Sequence, residues 1–79
     1  MQNNHIYIGQ FIQETLRDKG VSVKWLAKKI HCHPSSIYKI FQKQYIDTQL
    51  LLDISIVLNT DFFAYYSNFI KERKSNANN

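Results

Sequence analysis

Three adjacent residues, His31, Cys32 and His33, are the first candidates for chemistry, because histidine and cysteine are the usual ligands of zinc. A tetrahedral zinc site needs four ligands, which paired motifs separated by a loop normally supply. The remaining histidine, His5, lies 26 residues before His31, and the chain has no second cysteine. Since the side chains of adjacent residues diverge, we expect neither a metal site nor another cofactor. The alternative is that Cys32 is a small buried hydrophobic residue between two surface histidines.

Motifs for catalysis are missing from the sequence. It has no glycine-rich phosphate loop, no paired catalytic acids and no nucleophile beside a base. A chain of 79 residues predicts one small domain, which can hardly build a deep catalytic pocket. We therefore do not expect an enzyme, and no small-molecule ligand is evident.

Charge is distributed unevenly along the chain, whose net charge is +4. Asp18 and Asp47 are consecutive acidic residues, and the 28 residues between them include six lysines. A segment with charges of one sign favours a polyanionic partner, although a solvated lysine face has the same pattern. The lysines are Lys19, Lys24, Lys28, Lys29, Lys39 and Lys43.

The cellular compartment is predicted from what the sequence lacks. A single cysteine cannot form an internal disulfide, which fits a reducing environment. No apolar run is long enough to span a bilayer, and the N-terminus lacks a basic segment followed by an apolar one. These features predict a cytoplasmic protein that does not bind membranes.

Apolar residues recur at helical spacing throughout the chain, which predicts an all-α fold of five helices. No strand or hairpin signal competes with this pattern. Residues 1–74 are expected to form a single domain, and the polar residues 75–79 a disordered tail. The predicted helices span about residues 6–19, 23–31, 34–43, 48–58 and 62–73.

Residues that start or stop helices support these boundaries. Pro34 suits a first helical position, with His33 before it as the N-cap. A left-handed glycine and an asparagine are expected to end the first and fourth helices, and short polar side chains to cap the starts of the second, fourth and fifth. The predicted C-terminal residues are Gly20 and Asn59, and the predicted N-caps are Ser22, Asp47 and Asp61.

The stretch WLAKKIHCHPSSIYKIF has the spacing of two helices joined by a short turn. Ala27 is expected where the helices cross, because a larger side chain would hold them apart. His31 would lie at the turn, and Cys32 would point inward. Ile37 and Ile40 would pack the second helix onto the first. This spacing predicts a helix-turn-helix.

The chain resembles the lambda-repressor-like, Cro/C1-type (XRE family) helix-turn-helix DNA-binding domains from about residue 6 to residue 66. The stretches that carry this resemblance are IGQFIQETLRDKG, VSVKWLAKKIHCHPSSIYKIF and DTQLLLDISIVLNTDFFAYY. IFQKQYIDTQLLLDISIVLN is also similar to small XRE-type regulators of Bacteroidetes. The chain departs from the family at three positions, with His31 in place of a frequent glycine, Val23 in place of a frequent glutamine, and Trp25 at a position that is commonly polar.

The resemblance implies double-stranded DNA as the partner, with the third helix in the major groove. If Ile37, Ile40 and Phe41 face the core, the opposite face of that helix presents candidate base-reading residues, although any solvated helix face is also polar. Lysine can donate to guanine, and glutamine can pair with adenine. The candidate base-reading residues are Ser35, Tyr38, Lys39 and Gln42, and the candidate phosphate contacts are Lys24, Lys28, Lys43 and Gln44.

The last predicted helix, FFAYYSNFIKER, has more large apolar residues than one buried stripe needs. Most could complete a small core, or some could form a homodimer interface, for which Tyr66, Phe69 and Ile70 are the candidates. The sequence thus predicts a small transcriptional regulator, most simply a repressor, that binds specific DNA sequences. The alternative is a protein-interaction module, antitoxin-like or an adaptor, that uses the aromatic last helix.

Overall fold

A computed structural model of the protein describes residues 6–77, and all regular secondary structure in this part of the chain is helical, without strands. The prediction of five helices in an all-α fold is confirmed. No helix among these residues combines the length and the apolarity needed to cross a bilayer. The helices are α1 (Ile8–Lys19), α2 (Val23–Lys29), α3 (Pro34–Phe41), α4 (Thr48–Leu58) and α5 (Phe63–Ala77).

Three helices end in the same hydrogen-bonded turn around a residue in the left-handed conformation. Gly20, His31 and Asn59 have φ of 70°, 60° and 51°. The N–H groups of His31 and Cys32 donate to the carbonyls of Lys28 and Ala27, three and five residues earlier. The same pair of bonds follows α1 and α4, and it satisfies carbonyls that a helix end would leave without partners. The predicted ends at Gly20 and Asn59 are confirmed.

Side-chain caps begin α2, α3 and α4, as the sequence predicts. Ser22 accepts from the N–H of Trp25, His33 from Ser35, and Asp47 from Leu50. Each such bond satisfies one free N–H group at a helix start and stabilises the helix by about 1 kcal/mol.

The predicted cap at Asp61 is wrong, since α5 begins two residues later at Phe63. Phe62 is fully buried, and its N–H donates to the carbonyl of Thr60 in a tight turn. Asp61 contributes its backbone carbonyl, which accepts from Ala64. At its other end α5 continues to Ala77, into the segment predicted to be a disordered tail, while residues 78–79 lie outside the described part.

One core holds the helices together, and its fully buried members come from α1 to α4 and the turn before α5. Burying a side chain of this size stabilises a fold by about 1.5–3 kcal/mol. Phe62 contributes the largest of these side chains. The other fully buried side chains are Ile8, Ile12, Leu26, Ile37 and Ile54.

Backbone hydrogen bonds join the start of α1 to the segment that follows α3. The N–H groups of Ile8 and Gly9 donate to the carbonyls of Gln44 (2.9 Å) and Lys43 (3.0 Å). A Cβ atom at Gly9 would collide with the carbonyl oxygen of Ile40 and lie 2.6 Å from that of Phe41. The close approach of the two backbones therefore requires glycine at this position.

Helix α5 packs on the domain through its first half. Phe63 and Tyr66 lie against the core, and Tyr65 stacks on Phe11 of α1 with ring centroids 4.0 Å apart. Beyond Tyr66, Ile70 is 58% exposed. The core thus supports the beginning of α5, while residues 67–74 are mostly exposed to solvent.

Candidate nucleic-acid interface

Helices α2 and α3 meet at a corner built around small and branched side chains. Ala27 is 2% exposed, which fits its predicted place at the helix crossing. Ile37 and Ile40 are buried on the inner side of α3, and Cys32 packs against the same core. With Cys32 inward and His31 and His33 exposed, the observed burial agrees with the prediction for the turn.

His31 lets the chain turn between these helices. Its left-handed φ of 60° costs a residue with a side chain roughly 1–2 kcal/mol, which glycine would avoid. Three residues later, Pro34 occupies the first position of α3. The two helices are therefore oriented by local backbone conformation as well as by the core.

A small hydrogen-bonded network holds the start of α3. The Nδ1 atom of His33 accepts from the N–H of Ser35 at 3.1 Å and lies 2.9 Å from the Ser35 hydroxyl oxygen. In the tautomer with its proton on Nε2, Nδ1 accepts the backbone N–H, and the Ser35 hydroxyl lies within hydrogen-bond distance of the same nitrogen. The candidate base-reading residue Ser35 thus also holds the N-cap, while the hydroxyl oxygen can still accept from another group.

The outer face of α3, together with the residue that caps its end, presents four exposed residues at positions i, i+3, i+4 and i+7, which lie together on a helix. Tyr38 is 57% exposed, and its ring meets that of Phe41 edge to face, with centroids 5.9 Å apart. Phe41 in turn packs against the core, so the Tyr38 ring has a partner within the chain. The four residues are Ser35, Tyr38, Lys39 and Gln42.

The candidate phosphate contacts form two pairs. Lys24 and Lys28 are exposed and four residues apart on α2. Lys43 and Gln44 follow α3, and their carbonyls accept the N–H groups at the start of α1, so the backbone there is fixed. The Lys43 side chain is exposed, whereas that of Gln44 is half-buried and less free to reach a ligand.

Lys29 differs from Lys28, as expected from their adjacent positions on α2. Its ammonium group lies 5.6 Å from the centroid of the Trp25 ring, within the range of a cation–π contact. Trp25 itself is 36% exposed. The contact gives Lys29 a partner within the chain, away from Lys24 and Lys28.

A shallow groove of about 310 Å³ borders the outer face of α3. Lys39 and Lys43 line it together with Ile30 at the end of α2 and with apolar residues of α3 and α4. Cys32 also lines the groove, and burial raises the pKa of its thiol, which keeps it in the neutral form. No carboxylate contributes to the lining, so the groove extends the positive surface of α3.

The three candidate dimer residues occupy different environments along α5. Tyr66 packs on the core of its own chain, and burial raises the pKa of its phenol. Phe69 is half-buried beneath the guanidinium of Arg73, which lies 5.5 Å from the ring centroid. Ile70 is exposed. Much of the Tyr66 side chain therefore packs against its own chain, whereas the exposed Ile70 side chain can contact another molecule.

Among residues 6–77, no group of three or more histidine, cysteine, aspartate or glutamate side chains is arranged to hold a metal ion. Comparisons of the chain with protein-family profiles, with curated proteins and with solved structures found no match.

Sequence reasoning missed two features. One is Gly9, since a glycine inside a helical pattern does not reveal a long-range backbone approach. The other is the outer face of α4, where Leu52 and Ile56 are 43% and 68% exposed. A signal for it exists in the sequence, because TQLLLDISIVL has apolar residues around most of the helix, more than one buried stripe requires.

Proposed function

We propose that this protein binds specific sequences of double-stranded DNA as a lambda-repressor-like helix-turn-helix domain and acts as a small transcriptional repressor. In this proposal α3 enters the major groove, and Ser35, Tyr38, Lys39 and Gln42 contact base edges. The observation that carries the proposal is the contrast between the two sides of α3. Ile37 and Ile40 are buried, while the opposite face is polar and exposed and bears no carboxylate.

Charge supports the same partner. Six lysines and no acidic residue occur between Asp18 and Asp47, which includes all of α2 and α3. In the proposed complex Lys24, Lys28, Lys43 and Gln44 contact phosphates, and these contacts set affinity and orientation rather than sequence preference. Any solvated helix could carry lysines, but the absence of acids over both helices favours a polyanion.

The proposal includes a homodimer, in which Phe69 and Ile70 are the main candidates for contacts and Tyr66 lies at the edge. A dimer would place two copies of α3 about one DNA turn apart and so recognise a palindrome. A single domain of this size buries little DNA surface, so dimerisation also increases affinity and specificity.

The experiment that tests the function is selection of duplexes from a random pool, followed by titration of four variants. Lys39→Ala and Gln42→Ala should each reduce discrimination between the selected site and a point-mutated site by about 1–3 kcal/mol. Lys19→Ala and Gln13→Ala are matched controls, since both residues are exposed on α1 and should leave discrimination unchanged. Equal effects of all four would contradict the proposed role of α3.

A protein-interaction module is the second candidate function, and the exposed apolar residues of α4 and α5 favour it. The two candidates differ in their dependence on α3. An adaptor would keep its activity after Lys39→Ala and Gln42→Ala and lose it after Ile70→Lys, whereas a DNA-binding protein would lose sequence discrimination in the first two variants.

A further inference from the structure

Two apolar surfaces outside the core have no partner within the described residues. One is the outer face of α4, formed by Gln49, Leu52, Asp53 and Ile56 at positions i, i+3, i+4 and i+7. Its two apolar members, Leu52 and Ile56, are 43% and 68% exposed. Exposed apolar residues that adjoin one another on a helix are typical of interaction surfaces.

The other surface is a stripe on α5 that starts in the core and extends beyond it. Tyr66, Phe69, Ile70 and Arg73 follow the same i, i+3, i+4, i+7 spacing. Tyr66 packs on the core, but Phe69 and Ile70 do not, and Ile70 is 58% exposed. The helix thus presents apolar side chains where its own domain no longer covers them.

The charges at these two surfaces are opposite. The outer face of α4 carries one acid, Asp53, whose carboxylate accepts from the Gln49 amide at 3.0 Å and which lines a groove with Lys29 and His31, and residues 44–70 contain neither lysine nor arginine. The end of α5 carries three cations, Lys71, Arg73 and Lys74, beside the single acid Glu72. Arg73 lies on the apolar stripe, with its guanidinium over Phe69.

We infer that the occupant of the outer face of α4 is a second copy of this chain, and that α5 of each copy lies against α4 of the other. Each copy carries both an acidic apolar face and a basic apolar stripe, so a two-fold axis makes the contact twice. Ile56 and Leu52 meet Phe69 and Ile70, while Asp53 meets Arg73 of the other copy. This inference deepens the proposed homodimer and rests on it.

The first test is sedimentation equilibrium of the whole chain without DNA. The wild type should dimerise in a concentration-dependent manner. Ile56→Lys and Ile70→Lys should each raise the dimer dissociation constant at least about tenfold, because each places a charge in an apolar contact. Both residues are exposed in the folded chain, and unchanged circular dichroism would confirm folding. Tyr45→Lys is the control, since Tyr45 is 75% exposed outside both surfaces.

Charge reversal identifies the pairing. Asp53→Arg and Arg73→Asp should each weaken the dimer about threefold or more, since an exposed ion pair is replaced by repulsion. Mixing the two variants should restore wild-type association, because in the mixed dimer both positions again face an opposite charge. A contact within one chain would not respond to mixing.

Three results would overturn the inference. One is a monomer at all concentrations, and another is failure of the mixed variants to associate. The third is a dimer that Ile70→Lys disrupts and Ile56→Lys does not, as expected if α5 pairs with α5.

Duplex selection on the same proteins separates this inference from the proposed function. If no duplex is selected but the mixed variants associate, the α4–α5 interface is supported and the DNA-binding function is contradicted. If a duplex is selected but the mixed variants do not associate, DNA binding is supported and the α4–α5 interface is contradicted.

Discussion

Residues 19–46 carry six lysines and no carboxylate, whereas residues 44–70 carry three aspartates and neither lysine nor arginine. The first region contains α2 and α3, and its exposed face on α3 is polar. The second contains α4 and the first half of α5, and its exposed faces include Leu52, Ile56 and Ile70. The two regions thus present different surfaces, a basic and polar one on α2 and α3 and one with exposed apolar side chains on α4 and α5.

The two regions also differ in how they are held. Helix α3 has a capped start, an inner face in the core and an end whose following carbonyls bond to α1. Helix α5 is held at its beginning only, through Phe63, Tyr65 and Tyr66. In the proposed complex, an α3 held along its length would fit the major groove, and a second copy would cover the end of α5.

The largest expected effect lies at the contact between α1 and the end of α3. Gly9→Ala should lower the free energy of unfolding by about 3 kcal/mol, because the new Cβ collides with the carbonyl oxygens of Ile40 and Phe41. Urea denaturation measures this loss. Gly20→Ala is the matched control, since a Cβ there meets no atom and only the left-handed φ of 70° opposes it, at about 1 kcal/mol. Equal losses would show that the contact does not fix α3.

A smaller effect is expected on the salt dependence of DNA binding when one lysine is removed from either region. Lys28→Ala should reduce the slope of log binding constant against log salt by about one, because one phosphate contact is lost. Lys71→Ala, at the end of α5, should leave the slope unchanged if DNA is bound by the α2–α3 region alone. Fluorescence anisotropy at several salt concentrations gives both slopes. A larger change in slope for Lys71→Ala than for Lys28→Ala would contradict DNA binding by the α2–α3 region.

The smallest effect concerns two histidines at the α2–α3 turn. His31→Gly should raise the free energy of unfolding by about 1 kcal/mol, since glycine adopts the left-handed conformation without strain. That gain corresponds to roughly 4–8 °C in Tm for a domain of this size. His33→Gly should instead lower the stability, because the hydrogen bond that the Ser35 N–H donates to Nδ1 is lost. Thermal melts that shift in the same direction for both variants would contradict the two roles.

Local signals in the sequence were sufficient for most helix boundaries. Ser22 and Asp47 cap helix starts and Asn59 ends a helix through hydrogen bonds to residues a few positions away, and all three occupy their predicted places. The outer and inner faces of α3 followed from periodicity, because a polar face opposite Ile37 and Ile40 needs no knowledge of the other helices.

Features that depend on distant parts of the chain were not predictable in this way. Helix α3 ends at Phe41, two residues before the predicted end, in the segment where the carbonyls of Lys43 and Gln44 bond to α1. Helix α2 ends at Lys29 because His31 turns the chain. Helix α5 starts at Phe63, after a tight turn in which Phe62 is buried in the core shared by the other helices. The exposure of Ile56 depends on which side of α4 the other helices cover, and periodicity alone does not show this.

The central claim is that the α2–α3 region recognises DNA sequence, and duplex selection with the purified protein followed by a salt titration tests it most directly. The account predicts recovery of a palindrome whose half-sites lie about one DNA turn apart, bound far more tightly than random DNA and more weakly as salt increases. Absence of any enriched duplex, together with no binding at low salt, would contradict it.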